Sequence, residues 1–204
     1  MKNKILNFLL LSILFSLFLF INMKNYATTV SNNLENNIFR LHIIANSNST
    51  QDQDLKLKIR DVVIEYINKT QENLNSKQEI INNITYNLPT IQKLVEETIK
   101  KYNFDYNVSV EIGNFYFPTK HYGNISLPAG MYDSIKIKIG SANGENWWCS
   151  LFPPLCFTNI STGIIDETTK NDLKETLENE EFSIITNTSS KYKFKFKLIE
   201  LLNQ

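Results

Sequence analysis

The chain has 204 residues, 42% of them hydrophobic, which suits one domain of moderate size with a buried core plus an appendage. Twenty-one basic side chains balance twenty-one acidic ones, so nothing in the charge points to nucleic acid or another polyanion as partner. Two cysteines in this length exclude a mini-protein held together by disulfides.

Lys2 and Lys4 precede an apolar run from Ile5 to Ile21 that is broken only by Asn7, Ser12 and Ser16. A positive start followed by a long apolar segment directs a chain to export. At ~1.5 Å per residue the run reaches roughly 25 Å, within the range of a spanning helix. Residues 1–26 are therefore expected to be a signal peptide or a membrane anchor. Around Ala27 the position that favours a small residue for cleavage holds Asn25, which tilts the reading toward an uncleaved anchor. Only Lys24 follows the run, so the charge asymmetry keeps the amino terminus in the cytoplasm and sends the rest outside.

Residues 27–37, rich in Thr, Ser and Asn, read as a polar linker, with the folded domain over 38–204. Phe39, Leu41 and Ile43 alternate with Arg40 and His42, the period of a half-buried strand with the histidine on its polar side. Asn46-Ser47-Asn48-Ser49 is a turn, and Ser49 with Asp52 opens a helix whose apolar face is Leu55, Ile59, Val62, Val63, Tyr66 and Ile67. Such a turn at a helix start either holds an anion on free N–H groups or is an ordinary polar cap. Residues 77–86 read as a second helix, and Pro89 starts a third that runs through Lys101.

From residue 107 the period changes to two: Val108, Val110 and Ile112 form one strand, Ile135, Ile137 and Ile139 another. Between them, Phe115 to Gly123 and Leu127 to Tyr132 are rich in aromatics, Gly and Pro, and read as short strands and tight turns carrying exposed rings. Lys120, His121 and Tyr122 make a weak acid/base candidate. Zinc is not expected, because neither His42 nor His121 has a spaced partner.

Trp147-Trp148-Cys149-Ser150-Leu151-Phe152-Pro153-Pro154-Leu155-Cys156-Phe157 concentrates large apolar surface around a proline pair that forbids a helix. Cys149 and Cys156 are either disulfide partners, which an exported domain permits, or two buried thiols. After this block, 166–180 reads as a helix with Leu173 and Leu177 one turn apart, and Tyr192 to Leu198 alternates rings with lysines as a strand. The expected fold is α+β: a mostly antiparallel sheet with helices from 50–102 and 166–180 packed on it.

The series Phe39-Arg40-Leu41-His42-Ile43-Ile44-Ala45-Asn46-Ser47-Asn48-Ser49, then Phe117-Pro118-Thr119-Lys120, Leu127-Pro128-Ala129-Gly130 and the Trp-Trp-Cys to Pro-Pro-Leu-Cys block resembles the stage II sporulation protein R family. The resemblance runs from about Phe39 to the carboxyl end. It implies an exported signalling protein of spore-forming bacteria, passed from the forespore into the space between the septal membranes. There it would activate a membrane-embedded aspartic protease of the stage II sporulation protein GA type, which matures pro-sigma factor E in the mother cell. It brings no catalytic residues and no cofactor with it. Contact is expected through Trp147, Trp148, Phe152, Pro153 and Pro154, with Lys120, Tyr122, Asn46 and Ser47 as polar surroundings. The competing reading puts the tryptophans in the core and lets the prolines only shape a loop. A rival function is a cell-wall hydrolase using His121 or His42 with Asp or Glu residues.

Overall fold

The computed structural model describes residues 2–71, 74–156 and 167–186. Its first element, α1 (Lys2–Asn37), is a helix of 36 residues. From Ile5 to Met23 its large apolar side chains stand exposed, and it is long and apolar enough to cross a membrane. The expected linker over 27–37 is instead the last turns of this same helix. Val30 and Leu34 are one turn apart and, with Ile38, lie buried in the core. The intervening Ser and Asn residues hide that stripe in the composition. Lys77 fastens the helix end, its Nζ donating to the Glu35 carbonyl at 2.9 Å while pairing with Asp133 at 2.7 Å.

After α1 come β1 (Phe39–Ile44), α2 (Thr50–Thr70), α3 (Lys77–Lys101), β2 (Val108–Phe117), β3 (Lys120–Tyr122), β4 (Ile125–Leu127), β5 (Gly130–Ile139), β6 (Asn146–Phe152), α4 (Glu167–Thr176) and α5 (Asn179–Thr186). Four strands form a sheet in the order β2-β5-β1-β6, while β3 and β4 form a separate hairpin. β1 pairs parallel with β5 and antiparallel with β6, and β2 pairs antiparallel with β5. The architecture is the expected α+β class, with one parallel pairing in the sheet.

Register decides the two faces. Ile43 is level with Ile137 and Trp147, and Leu41 with Ile135 and Cys149, so these side chains share one face. Arg60 of α2 lies over the Trp147 ring at 4.3 Å, which places the helices on that face. The core beneath them is Ile59, Val63 and Ile67 of α2 with Ile84, Ile91 and Val95 of α3. Arg40, His42, Ser134 and Trp148 share the opposite face, which the β3–β4 hairpin approaches.

Two helix boundaries differ from expectation. Residues 77–101 form one helix with Pro89 inside it. Pro89 forfeits a backbone hydrogen bond at about 3 kcal/mol, but the buried row Ile80, Ile84, Ile91, Val95 and Ile99 holds both halves to the same core. A Ser76–Glu79 capping box starts the helix. In place of the one helix expected over 166–180 stand α4 and α5, because the Glu178 N–H donates to Glu181 Oε2 and a new helix begins there. Leu173 and Leu177 are buried as their spacing implies. The strand expected over 192–198 lies outside the described residues, as does Phe157.

The rings expected to be exposed in the aromatic loops are mostly core: Phe117 and Tyr132 are fully buried and Tyr122 nearly so, whereas Tyr116 is exposed. Phe117 of β2, Tyr132 of β5 and Tyr122 of the hairpin gather around Arg40 rather than facing solvent.

Candidate functional site

β6 positions the tryptophans. Successive residues of a strand face opposite ways, so Trp147 lies level with Ile43 on the helix face and Trp148 level with His42 on the other. The two rings cannot form a single patch. Trp147 is half-buried under Arg60, with its indole N–H lacking a partner among the described residues.

Around Trp148 the arrangement is tighter. Its indole stacks on the His42 imidazole with ring centroids 3.6 Å apart and 17° between planes, and meets the Phe117 ring edge-on at 4.7 Å. Lys120 Nζ sits 5.9 Å from the indole, and Tyr122 Oη donates to the Trp148 carbonyl at 3.1 Å. His42 is buried rather than on a polar surface, because β1 is interior and covered on both faces. Burial pushes its pKa down to about 4, with Lys136, Arg40 and Lys138 adding to the effect against a hydrogen bond to Asn146. The ring is neutral at pH 7, with Nε2 and Asn146 Oδ1 in contact at 2.7 Å.

Arg40 is fully buried on the same face. Its guanidinium lies 4.2 Å from the Phe117 centroid and 5.0 Å from that of Tyr132, and Nη2 donates to Tyr122 Oη at 2.8 Å. Burial raises the pKa of both tyrosines, so each remains a neutral phenol. Arg40, Tyr122 and the Trp148 carbonyl thus form one chain of hydrogen bonds that locks the hairpin to β6. Tyr122 is an interior strut here, and Lys120 remains the hairpin's polar contribution beside Trp148.

The end of β6 is closed covalently: Cys149 and Cys156 form a disulfide with Cα atoms 5.1 Å apart, which resolves the two alternatives for this pair. Leu155 N–H donates to the Ser150 carbonyl at 2.9 Å, and the Phe152–Pro153 peptide is cis. Pro153 is buried, while Phe152 and Pro154 are half-buried and line a cavity of about 790 Å³ bounded by the end of α1, the α2–α3 connection and α4.

Asn46 and Ser47 lie away from this cavity and spend their polar groups internally. Both donate to Asp52 Oδ2, at 2.9 and 2.5 Å, and Asn46 Oδ1 accepts from the Ser141 N–H at 3.0 Å. Burial alone would raise the Asp52 carboxyl, but hydrogen bonds from Ser47, Asn46, Tyr106 and Ser49 hold it below the usual carboxylate range. Gly140, with φ at +57°, abuts Asn46 Oδ1 where any Cβ would collide. The turn is an ordinary structural cap, clamped to the 140–145 loop. Asp52 as its hub was signalled by the Ser49–Asp52 spacing, but Arg40 as a buried cation carried no sequence signal beyond alternation.

Among the described residues no His, Cys, Asp or Glu cluster is shaped to hold a metal ion. His121 Nδ1 contacts Ser126 Oγ at 2.6 Å, a cross-strand pair on the hairpin.

Residues 35–162, which include every strand among the described residues, match the profile of the family described as Stage II sporulation protein R, so the match stops short of the carboxyl end to which the resemblance was expected to run. The chain is similar to the protein of that name from Bacillus subtilis (strain 168), 45% identical over 124 residues, covering 61% of this chain and 55% of the relative. The match thus spans a little over half of that relative's length. No solved structure matches. The chain belongs to the stage II sporulation protein R family.

Proposed function

We propose that this chain is an exported signal between the two compartments of a sporulating cell. It activates a membrane-embedded aspartic protease of the stage II sporulation protein GA type, and that protease matures pro-sigma factor E in the mother cell. The observation that carries this reading is the junction at residues 26–30 of a family member: a bare apolar helix of membrane-crossing length runs without interruption into the core of the folded domain. Such a domain is mounted at a membrane surface, where a membrane-embedded partner is met. The protein works by contact, and the half-buried Trp148 with Lys120 is the contact point. Binding shifts the protease toward its active state only if the domain fits that state better than the inactive one.

The test is co-production of the chain, the protease and pro-sigma factor E in non-sporulating cells. Cleavage that needs both chain and protease supports the reading, and cleavage with the protease alone removes it. The hydrolase reading has one observation behind it, the His121–Ser126 contact. Among the described residues no carboxylate orients that imidazole as a nucleophilic dyad requires. Release of wall fragments by the purified chain, lost on His121→Ala, would favour it.

A further inference from the structure

The cavity at the end of β6 has a chemistry of its own, apart from the Trp148 face. Phe152 and Pro154 give it an apolar wall held in place by the disulfide loop. On another wall is Gln71, the C-cap of α2, whose Nε2 is shielded from solvent and, among the described residues, has no hydrogen-bond partner. A primary amide with unused N–H donors is suited to a peptide carbonyl. At the rim, Asp172 and Glu175 of α4 are exposed, and among the described residues neither carboxylate is paired. Among the described residues the cavity's one cation, Lys77, is already committed to Asp133 and to the Glu35 carbonyl, so those residues leave the two rim carboxylates uncompensated. About 790 Å³ is the size that takes a short segment of chain rather than a folded surface.

We infer that this cavity is a docking cleft for an extended peptide segment bearing one basic side chain. The segment's backbone carbonyl meets Gln71, an apolar neighbour lies on Phe152 and Pro154, and its guanidinium or ammonium group pairs with Asp172 and Glu175. The inference rests on the signalling proposal, in which such a segment belongs to the receptor protease.

The test uses the full chain in detergent micelles, titrated with the blocked peptide acetyl-Gly-Val-Arg-Val-Gly-amide and followed by the NMR signal of the Gln71 side-chain amide. A saturable shift is expected with this peptide and none with the counterpart carrying Glu in place of Arg. The Asp172→Asn, Glu175→Gln double variant should bind about three- to tenfold more weakly, the range two part-exposed ion pairs supply. No saturable shift, equal binding of the Glu peptide, or unchanged affinity of the double variant would each overturn the inference. Maturation of pro-sigma factor E separates the two proposals. Peptide binding without any maturation defect in the double variant keeps the cleft and removes its signalling role. Normal signalling with no peptide binding does the reverse.

Discussion

The His42 imidazole lies flat against the Trp148 indole, 3.6 Å between centroids, with its Nε2 on Asn146. A neutral histidine is thereby built into the wall behind the proposed contact residue.

The pKa of His42 is lowered to about 4 from an ordinary 6.5, so the unfolded chain binds the proton more tightly than the folded one. The stabilisation is fully present above pH 6.5 and is lost as pH falls from there toward 4, amounting to about 2–3 kcal/mol. Denaturant unfolding at several pH values should show stability rising across that window. His42→Phe, which keeps a stacked ring, should flatten the slope. An unchanged slope in the variant would assign the effect to another group.

Tyr122→Phe removes the hydroxyl between Arg40 Nη2 and the Trp148 carbonyl. With the guanidinium's Nε and Nη1 already unpartnered among the described residues, the variant should lose about 1–3 kcal/mol of stability. Tryptophan fluorescence should shift as β6 loosens. Wild-type stability with unchanged fluorescence would show that the hairpin is not tied to β6 through this bond.

Leu34→Ala should cost about 2–5 kcal/mol, as large-to-small changes in a packed core do, whereas Asn32→Ala, two residues earlier and exposed, should be within about 0.5 kcal/mol of neutral. Equal and small effects of both would mean that the end of α1 is a tether after all.

The purified chain should carry no thiol that reacts before reduction, and reducing Cys149–Cys156 should lower stability by about 2 kcal/mol for so short a loop. Labelling of both cysteines in unreduced protein would contradict the clasp.

The period-two runs at Val108–Ile112 and Ile135–Ile139 were readable because each strand has one face against α2 or α3 and one face carrying charge. β1 defeats the same logic: Arg40 and His42 alternate with apolar residues, yet the strand is central and the hairpin buries its second face. Nothing local announces a cation caged by Phe117 and Tyr132, since these rings come from distant strands. The end of α1 was hidden for the opposite reason, its Val30–Leu34–Ile38 stripe diluted by Asn and Ser. Pro89 signals a helix start locally, but tertiary burial on both sides outweighs its local cost. The Cys149–Cys156 pairing was open on spacing alone and needed the turn at Pro153 to bring the sulfurs together. The separation of Trp147 from Trp148 onto opposite faces was implicit in their adjacency, once that stretch is a strand.

The most direct test of the contact reading is the extent of pro-sigma factor E maturation in sporulating cells that carry Trp148→Ala, with chain abundance measured in the same cells. The account expects maturation to fall about tenfold or more while the chain accumulates, the loss of a central aromatic anchor. Full maturation at wild-type abundance would contradict it.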